Sequence, residues 1–232
     1  MIAPWSRAGF VDEYEGFLDR ATAARIYALC RAAPIPSSLF YLARDALDPV
    51  AFARYVPEAL ADFVVSYLRR LLALAPAAMR RRVHGFELWT THAVRGAGAK
   101  MYLHIDSDEA LRTQSGTLRT PMLGSVLYLG PAHGLVGGET LFLTPAARFA
   151  PFAFHDCAAL TAAAGARTVR PSPGTLVTFA GDMPHGQMPV TDHPEGLPRI
   201  ALLANLWDAR IGCVPEGLCA LSPEAFRARG GG

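Results

Sequence analysis

The stretch Lys100-Met101-Tyr102-Leu103-His104-Ile105-Asp106 alternates polar and apolar side chains and predicts a strand. Because successive side chains of a strand point to opposite faces, the three apolar ones are predicted on a core face and the four others on the opposite face. His104 and Asp106 lie two residues apart on that opposite face, so both side chains can reach one metal ion. A surface histidine and aspartate would give the same triplet, so the pattern needs support from elsewhere in the chain.

A second histidine follows a short apolar strand in the last third of the chain. Residues 171–186 contain a turn, the apolar run 175–179, another turn and His185. Two histidines and one carboxylate form the facial triad typical of non-haem Fe(II) oxygenases, which leaves coordination positions open. Arg199 then opens an otherwise apolar strand, 199–207. An arginine there is unusual unless it faces an anion, and a guanidinium binds a carboxylate through two parallel hydrogen bonds.

The rest of the chain divides into a helical part and a strand-rich part. Helices are predicted over 19–33 and 48–75, the second split at Pro57 because proline suits a first turn but not a helix interior. Regular short strands with Gly and Pro between them then favour an antiparallel sandwich or barrel. Residues 144–173 form a long alanine-rich loop that suits either a lid or a plain insertion. The strands are predicted at 86–91, 100–105, 125–129, 140–143, 175–179 and 199–207.

An ordered set of motifs resembles one enzyme superfamily. The set comprises Phe17-Leu18-Asp19 with the helix after it, His104-Ile105-Asp106, Leu127-Tyr128-Leu129, Gly137-Gly138-Glu139-Thr140-Leu141-Phe142, and a closing block of Pro173-Gly174, His185, Pro189-Val190 and Arg199. In this order the motifs resemble the Fe(II)/2-oxoglutarate-dependent dioxygenases, specifically their prolyl-4-hydroxylase-like branch. The resemblance extends over about residues 10–210, and the ordered set is far more specific than any one motif.

The resemblance implies a mainly β fold with flanking helices, a double-stranded β-helix (jelly roll) preceded by an N-terminal helical region. We expect one domain over residues 1–232. Within it, residues 1–82 would be mainly helical support, 83–210 the jelly-roll core and 211–232 a C-terminal tail.

The resemblance also implies a set of site residues. His104, Asp106 and His185 would hold the metal and serve as the catalytic residues, and Arg199 would bind the distal carboxylate of 2-oxoglutarate. Tyr102 or Thr140 would add a hydrogen bond to this co-substrate. The remaining candidates, for substrate binding, are Lys100, Asn205 and Trp207. The implied cofactors are Fe(II), 2-oxoglutarate and O2, with ascorbate as an optional reductant.

The implied activity is hydroxylation of an unactivated C–H bond, with release of succinate and CO2. We expect a small amino-acid-like or natural-product substrate, free or carrier-bound. The alternative within the superfamily is a peptidyl or protein hydroxylase of the prolyl-hydroxylase type. Alternatives of another class are a non-catalytic metal-binding jelly roll and a cupin-like hydrolase or isomerase, and both must explain Arg199 without 2-oxoglutarate.

Composition excludes several other classes of protein. The chain has 232 residues, a formal net charge of +2 and 51% hydrophobic residues, which is enough for one sizeable core. Without a concentrated basic patch we expect no nucleic-acid partner, and without a long uncharged apolar stretch we expect no membrane partner. Four cysteines (Cys30, Cys157, Cys213 and Cys219) form no CxxC motif, which favours reduced thiols and a cytoplasmic location. The alanine- and arginine-rich composition indicates a bacterial source, and the oligomeric state is left open.

Overall fold

The computed structural model describes residues 10–35, 40–96, 99–144 and 149–212. Cys213, Cys219 and the predicted tail beyond residue 212 lie outside the described residues. The other two cysteines are free thiols, Cys30 buried and Cys157 partly buried. In the described ranges, no helix is both long and apolar enough to cross a membrane.

Short strands dominate the chain after residue 83, as predicted. The strands are β1 (Val11–Tyr14), β2 (Phe40–Ala43), β3 (Gly85–Ala93), β4 (Lys100–Leu103), β5 (Leu123–Gly130), β6 (Val136–Gly137), β7 (Thr140–Leu143), β8 (Ala153–Asp156), β9 (Ala166–Val169), β10 (Leu176–Ala180), β11 (His185–Gln187), β12 (Val190–Asp192) and β13 (Arg199–Trp207). The helices are α1 (Arg20–Ala32), α2 (Pro49–Phe52), α3 (Glu58–Leu74), α4 (Ala77–Arg80), α5 (Glu109–Ser115) and α6 (Cys157–Thr161), with a short 3-10 turn at Arg44–Ala46.

The strands form two antiparallel layers. The larger layer is a six-stranded sheet in the order β1-β10-β5-β13-β3-β2. The opposite layer contains the three-stranded sheet β11-β7-β9 and the pair β4-β8, with a further pair β12-β6 beside them. A single bridge between His104 and His185 joins β4–β8 to β11–β7–β9. This two-layer arrangement is the predicted jelly roll, and the strands predicted at 140–143 and 199–207 have the predicted bounds.

The alternation along β13 separates two cores. Its side chains Ile200, Leu202, Ala204 and Leu206 face the helices and belong to a large cluster with α1 and α3 residues such as Ile26 and Leu68. Ala201 and Leu203 point the other way and pack with Val126, Tyr128, Phe142 and Phe179 between the two strand layers. The sheet therefore buries both of its faces, one under helices and the other toward the opposite layer.

The N-terminal part combines helices with two edge strands. α1 starts after Asp19, whose carboxylate accepts a hydrogen bond from the Thr22 N–H at 2.8 Å, and Pro57 precedes α3 as the sequence predicts. β1 and β2 were not predicted by the sequence pattern, and they pair with β10 and β3 at the two edges of the large sheet. Segments of four residues are too short to show a reliable period, so only their partners identify them.

Residues 144–173 contribute to the opposite layer. Their strands β8 and β9 pair with β4 and β7, and α6 lies between them. The segment is therefore not one long loop, because its backbone completes two of the sheets, and the choice between a lid and a plain insertion stays open. Ile105 also departs from its predicted core position. β4 ends at Leu103, so Ile105 is only partly buried and lines a cavity.

Tyr67 of α3 fixes the helical layer to the large sheet through a buried hydroxyl pair. The Tyr67 and Ser125 hydroxyls lie 2.9 Å apart, and Ser125 donates to the Ala204 carbonyl at 2.7 Å. Because the Ser125 proton is already used, Tyr67 donates to Ser125. The Tyr67 hydroxyl therefore needs Ser125 as its acceptor, whereas the Ser125 hydroxyl has an acceptor of its own in the Ala204 carbonyl.

We predict unequal costs for removing the two hydroxyls. Tyr67→Phe loses one hydrogen bond but leaves Ser125 satisfied, which costs about 1 kcal/mol of unfolding free energy. Ser125→Ala leaves the Tyr67 hydroxyl buried without an acceptor and costs about 1–3 kcal/mol. Urea unfolding of both variants beside the wild type measures the difference. A Tyr67→Phe cost equal to or above that of Ser125→Ala would contradict the assigned direction of the bond.

Candidate metal centre

Main-chain hydrogen bonds bring the two predicted ligand histidines together. His104 follows β4, His185 begins β11, and the N–H of each donates to the carbonyl of the other at 2.9 and 2.8 Å. The neighbouring Gly186 permits this approach, since a Cβ there would lie 2.4 Å from the Tyr102 carbonyl oxygen and 2.3 Å from Cε of Met101. The backbone therefore determines the separation of the two rings, whose centroids are 4.5 Å apart.

His104, Asp106 and His185 form one compact donor set. One Asp106 carboxylate oxygen lies 3.6 Å from His104 Nε2 and the other 3.7 Å from His185 Nε2. One ligand atom from each residue can be chosen so that all lie within 4.8 Å of one another. The His185 Nδ1–H donates to the Met183 carbonyl at 3.0 Å, which leaves Nε2 with a free lone pair. A metal ion fits this set because two imidazole nitrogens and a carboxylate oxygen, the donors of a facial triad, lie close together.

Unsatisfied polar atoms concentrate at this site. In the part of the chain that the structure describes, three buried side-chain nitrogen atoms lack a hydrogen-bond partner: His104 Nδ1, His185 Nε2 and Arg199 Nε. Burial, followed by the nearby His185 ring, lowers the pKa of His104 below its ordinary value. A lowered pKa keeps the imidazole neutral, which is the form that binds a metal ion.

Arg199 forms a buried positive centre beside the triad strands. Its side chain is 2% exposed, and no carboxylate of the described residues lies within ion-pair distance of it. Nη1 donates to Gln187 Oε1 at 2.8 Å, and the guanidinium carbon lies 5.2 Å from the centre of the Tyr128 ring. Burial lowers the pKa of Arg199, but a guanidinium still stays charged in a protein. The hydrogen-bond partners of Arg199 are neutral, and Glu139 acts on its charge without forming an ion pair. A buried charge without an ion-pair partner is costly, so this position suits a bound anion.

Thr140 supplies a free donor at the same place. Its Oγ1 accepts from the Tyr128 hydroxyl at 2.7 Å and lies 3.4 Å from Arg199 Nη2. Because both neighbours donate, the Thr140 hydroxyl proton is available to a ligand. Gly138 has φ +73°, and a Cβ there would lie 2.8 Å from Arg199 Cδ, so this glycine leaves room for the arginine.

A cavity of about 420 Å³ opens beside the triad. Its lining includes His104 and Asp106 from the triad, and Glu87 and Trp89 from β3. Burial, and next the Asp106 carboxylate, raises the pKa of Glu87 from 4.5 to about 7. The other lining residues are Tyr102, Ile105, Ser107, Glu109, Arg112 and Phe152.

Solved structures identify the fold. No protein-family model and no curated protein matches the sequence. A Pseudomonas putida prolyl-4-hydroxylase shares 18% sequence identity with this chain at a TM-score of 0.53, over 88% of this chain and 95% of the other. The chain has the prolyl-4-hydroxylase fold.

A second protein with this fold has been solved with and without 2-oxoglutarate. EvdO2 from Micromonospora carbonacea var. aurantiaca matches at 16% identity and a TM-score of 0.55, over 92% of both chains. Its complex with 2-oxoglutarate matches at 14% identity and a TM-score of 0.53, again over 92% of both chains. At these identities the comparison establishes the fold alone. The jelly roll predicted from the motifs is confirmed.

Within the prolyl-4-hydroxylase fold, the remaining predicted site residues separate into different places. Tyr102 is 41% exposed and stacks on His104 at 5.7 Å in the cavity wall, with no hydrogen bond to Arg199 or Thr140. Lys100 is exposed at the start of β4 and does not line the cavity. Asn205 and Trp207 are buried, and both donate to Glu87 Oε2, at 3.2 and 3.3 Å.

Three site residues were not predicted from the sequence. Tyr128 and Gln187 surround Arg199, and Glu87 faces the cavity. Tyr128 belongs to the Leu127-Tyr128-Leu129 motif, but its place opposite Ala201 depends on the pairing of β5 with β13. Glu87 is paired with Asn205 across β3 and β13, so its position follows from register rather than from any local pattern.

We predict that Glu87 makes the stability of metal-free protein depend on pH. A raised carboxyl pKa means that the fold keeps the proton after the unfolded chain has released it. This contribution is complete below 4.5 and is lost as pH rises to about 7. Glu87→Gln retains an acceptor for Asn205 and Trp207 but cannot ionise. Denaturant unfolding across this range should therefore show the variant gaining stability relative to the wild type as pH rises, whereas a constant difference would contradict the raised pKa.

Proposed function

We propose that this chain is an Fe(II)/2-oxoglutarate-dependent oxygenase that hydroxylates an unactivated C–H bond of a small molecule. His104, Asp106 and His185 would hold the iron, and Arg199 would bind the distal carboxylate of 2-oxoglutarate. The observation that carries the proposal is the buried guanidinium of Arg199, which has no ion-pair partner among the described residues and lies within the same sandwich as the His-Asp-His set. A structural metal site or a cupin-like hydrolase would not need this buried cation.

The residues around the His-Asp-His set and around Arg199 suit the proposed binding of iron at the first and of 2-oxoglutarate at the second. Iron, 2-oxoglutarate and O2, when bound, supply the oxidation in which 2-oxoglutarate yields succinate and CO2 and one oxygen atom enters the substrate. Thr140 has a hydroxyl proton free for the co-substrate, and Tyr128 holds Thr140 in place. The Met183 carbonyl orients the His185 ring through Nδ1, so its Nε2 faces Asp106.

The cavity beside the triad supports a small substrate. Its volume of about 420 Å³ is within the range of small-molecule sites, and its aromatic walls are Trp89, Tyr102 and Phe152. We therefore favour an amino-acid-like or natural-product substrate, free or carrier-bound. The alternative is a peptidyl or protein hydroxylase, which an assay with proline-containing peptides would reveal.

We further propose that residues 1–232 act as one domain in a reducing, bacterial cytoplasm. The free thiols Cys30 and Cys157 support a reducing compartment. The shared cluster of α1, α3 and large-sheet residues supports one domain.

We predict that Asp106→Ala abolishes assembly of the iron site. The variant loses one of three ligands, so Fe(II) affinity should fall by more than the roughly 10–100-fold that loss of an outer-shell partner costs. Anaerobic Fe(II) titration with and without 2-oxoglutarate, followed by visible absorption, should give a charge-transfer band in the wild type only when both are present. Asp12→Ala, which removes an exposed carboxylate, is the control and should keep the band. Full hydroxylation by Asp106→Ala would contradict the proposed function.

We predict that Arg199→Gln weakens 2-oxoglutarate binding and leaves Fe(II) binding in place. Loss of one partner of a buried charge pair costs about 2–5 kcal/mol, or roughly 30-fold or more in affinity. Arg199→Lys should recover only part of this, because an ammonium cannot make the two parallel hydrogen bonds of a guanidinium. Calorimetric titration with 2-oxoglutarate measures both variants, with the exposed Arg54→Gln as control. Unchanged 2-oxoglutarate affinity in Arg199→Gln would remove the arginine from its assigned role.

A further inference from the structure

The Glu87 carboxylate of the cavity is held by hydrogen bonds through one oxygen, and it has no role in the proposed iron or 2-oxoglutarate sites. Glu87 Oε2 accepts hydrogen bonds from Asn205 Nδ2 and Trp207 Nε1, at 3.2 and 3.3 Å. These two donors are 1% and 0% exposed, so they hold the carboxylate from inside the core. Oε1 makes no hydrogen bond with any described residue. It is nevertheless not a buried, unsatisfied atom, because solvent reaches it. The free oxygen therefore opens to the cavity that Glu87 lines.

The charges around the cavity leave this carboxylate without a cation. Arg112 lines the same cavity, but its Nε and Nη2 bind both Glu109 oxygens, at 2.5–3.1 Å, in an i,i+3 ion pair. Ser107 also donates to Glu109. Asp106 belongs to the metal set, where a bound cation would offset its charge. Of the acidic residues that line the cavity, Glu87 is thus the one with no positive partner among the described residues.

Another wall of the cavity favours a positive charge as well. The indole of Trp89 lines the cavity, and the electron-rich face of such a ring attracts cations. The Phe152 ring already carries the Arg112 guanidinium at 4.8 Å, and Tyr102 is stacked on His104. Phe152 has φ +64°, a left-handed conformation that is rare for a bulky residue and often occurs at functional positions. Its N–H donates to the Leu103 carbonyl at 2.7 Å, which fixes the backbone one residue before His104.

We propose that Glu87 is the specificity residue of this cavity and that the substrate carries a protonated amine, which Oε1 binds beside the aromatic walls. Asn205 and Trp207 act as positioning residues for this carboxylate. A neutral hydroxyl could also donate to Oε1, but it would gain neither the ion pair nor the attraction of the Trp89 ring. The inference rests on the proposed function, because the cavity is a substrate site only if the triad is the reactive centre.

Benzylamine and benzyl alcohol test the proposal at about pH 8, because they share size and shape and differ in charge there. At that pH the Glu87 carboxyl, whose pKa is raised to about 7, is mostly ionised. Each is titrated by calorimetry into wild-type protein, both metal-free and loaded anaerobically with Fe(II) and 2-oxoglutarate. We expect the wild type to bind benzylamine about tenfold or more tightly than the alcohol, as a difference of about 1.4 kcal/mol requires. Equal binding of the two probes, including no detectable binding of either, would overturn the proposal without any variant.

Two glutamate variants assign the preference to Glu87. In Glu87→Gln the preference for benzylamine should disappear, while the exposed Glu15→Gln removes the same charge and should keep it. A preference that survives in Glu87→Gln would overturn the assignment. The charge-transfer band with Fe(II) and 2-oxoglutarate shows whether each variant is folded and loaded. Absence of that band in the wild type would contradict the proposed function instead, and the metal-free titration would still decide the role of Glu87.

Discussion

The site depends on two main-chain hydrogen bonds between His104 and His185. They form the bridge that joins the β4–β8 pair to the β11–β7–β9 sheet, so they complete the second layer of the sandwich and at the same time place two imidazoles 4.5 Å apart. Gly186 has no Cβ, so β11 can approach the end of β4 this closely. Asp106, two residues beyond His104, then needs only the local path of the chain to reach both rings. Since the bonds use backbone atoms, they do not depend on which side chains occupy these positions.

β13 organises the inner face in a similar way. It carries Arg199 at its first residue and Asn205 and Trp207 near its last, all on one face of the large sheet. At about 3.3 Å per residue, Asn205 lies roughly 20 Å and Trp207 roughly 26 Å from Arg199 along the strand. The arginine end lies beside Thr140, where we propose that an anion binds, and the other end holds Glu87 at the cavity. One strand thus separates the proposed anion position from the proposed cation position.

The sequence predicts those features that repeat or that stand in a known order. Alternation predicted β13 with its two faces, and Asp19 and Pro57 marked helix starts, because these signals are local. The donor set of His104, Asp106 and His185 follows from the resemblance because the motifs come in a family order, and the structure brings the three residues together. That they bind a metal stays a prediction. The short edge strands β1 and β2 and the position of Glu87 were not predicted, since they follow from pairing between distant segments. Asn205 and Trp207 were predicted as substrate residues. In the structure both are buried and donate to Glu87 Oε2, and Glu87 is the residue that lines the cavity.

The burial of Arg199 couples folding to the chemistry of the surroundings. A guanidinium that is enclosed with neutral partners costs folding free energy, and an anion that binds only the folded chain offsets that cost by mass action. At a hundred times its dissociation constant such an anion adds about 2.7 kcal/mol to the free energy of unfolding. If Arg199 binds an anion as proposed, the resistance of the chain to proteolysis would follow the supply of that anion. The amount of folded chain would then depend on the concentration of the anion as well as on expression.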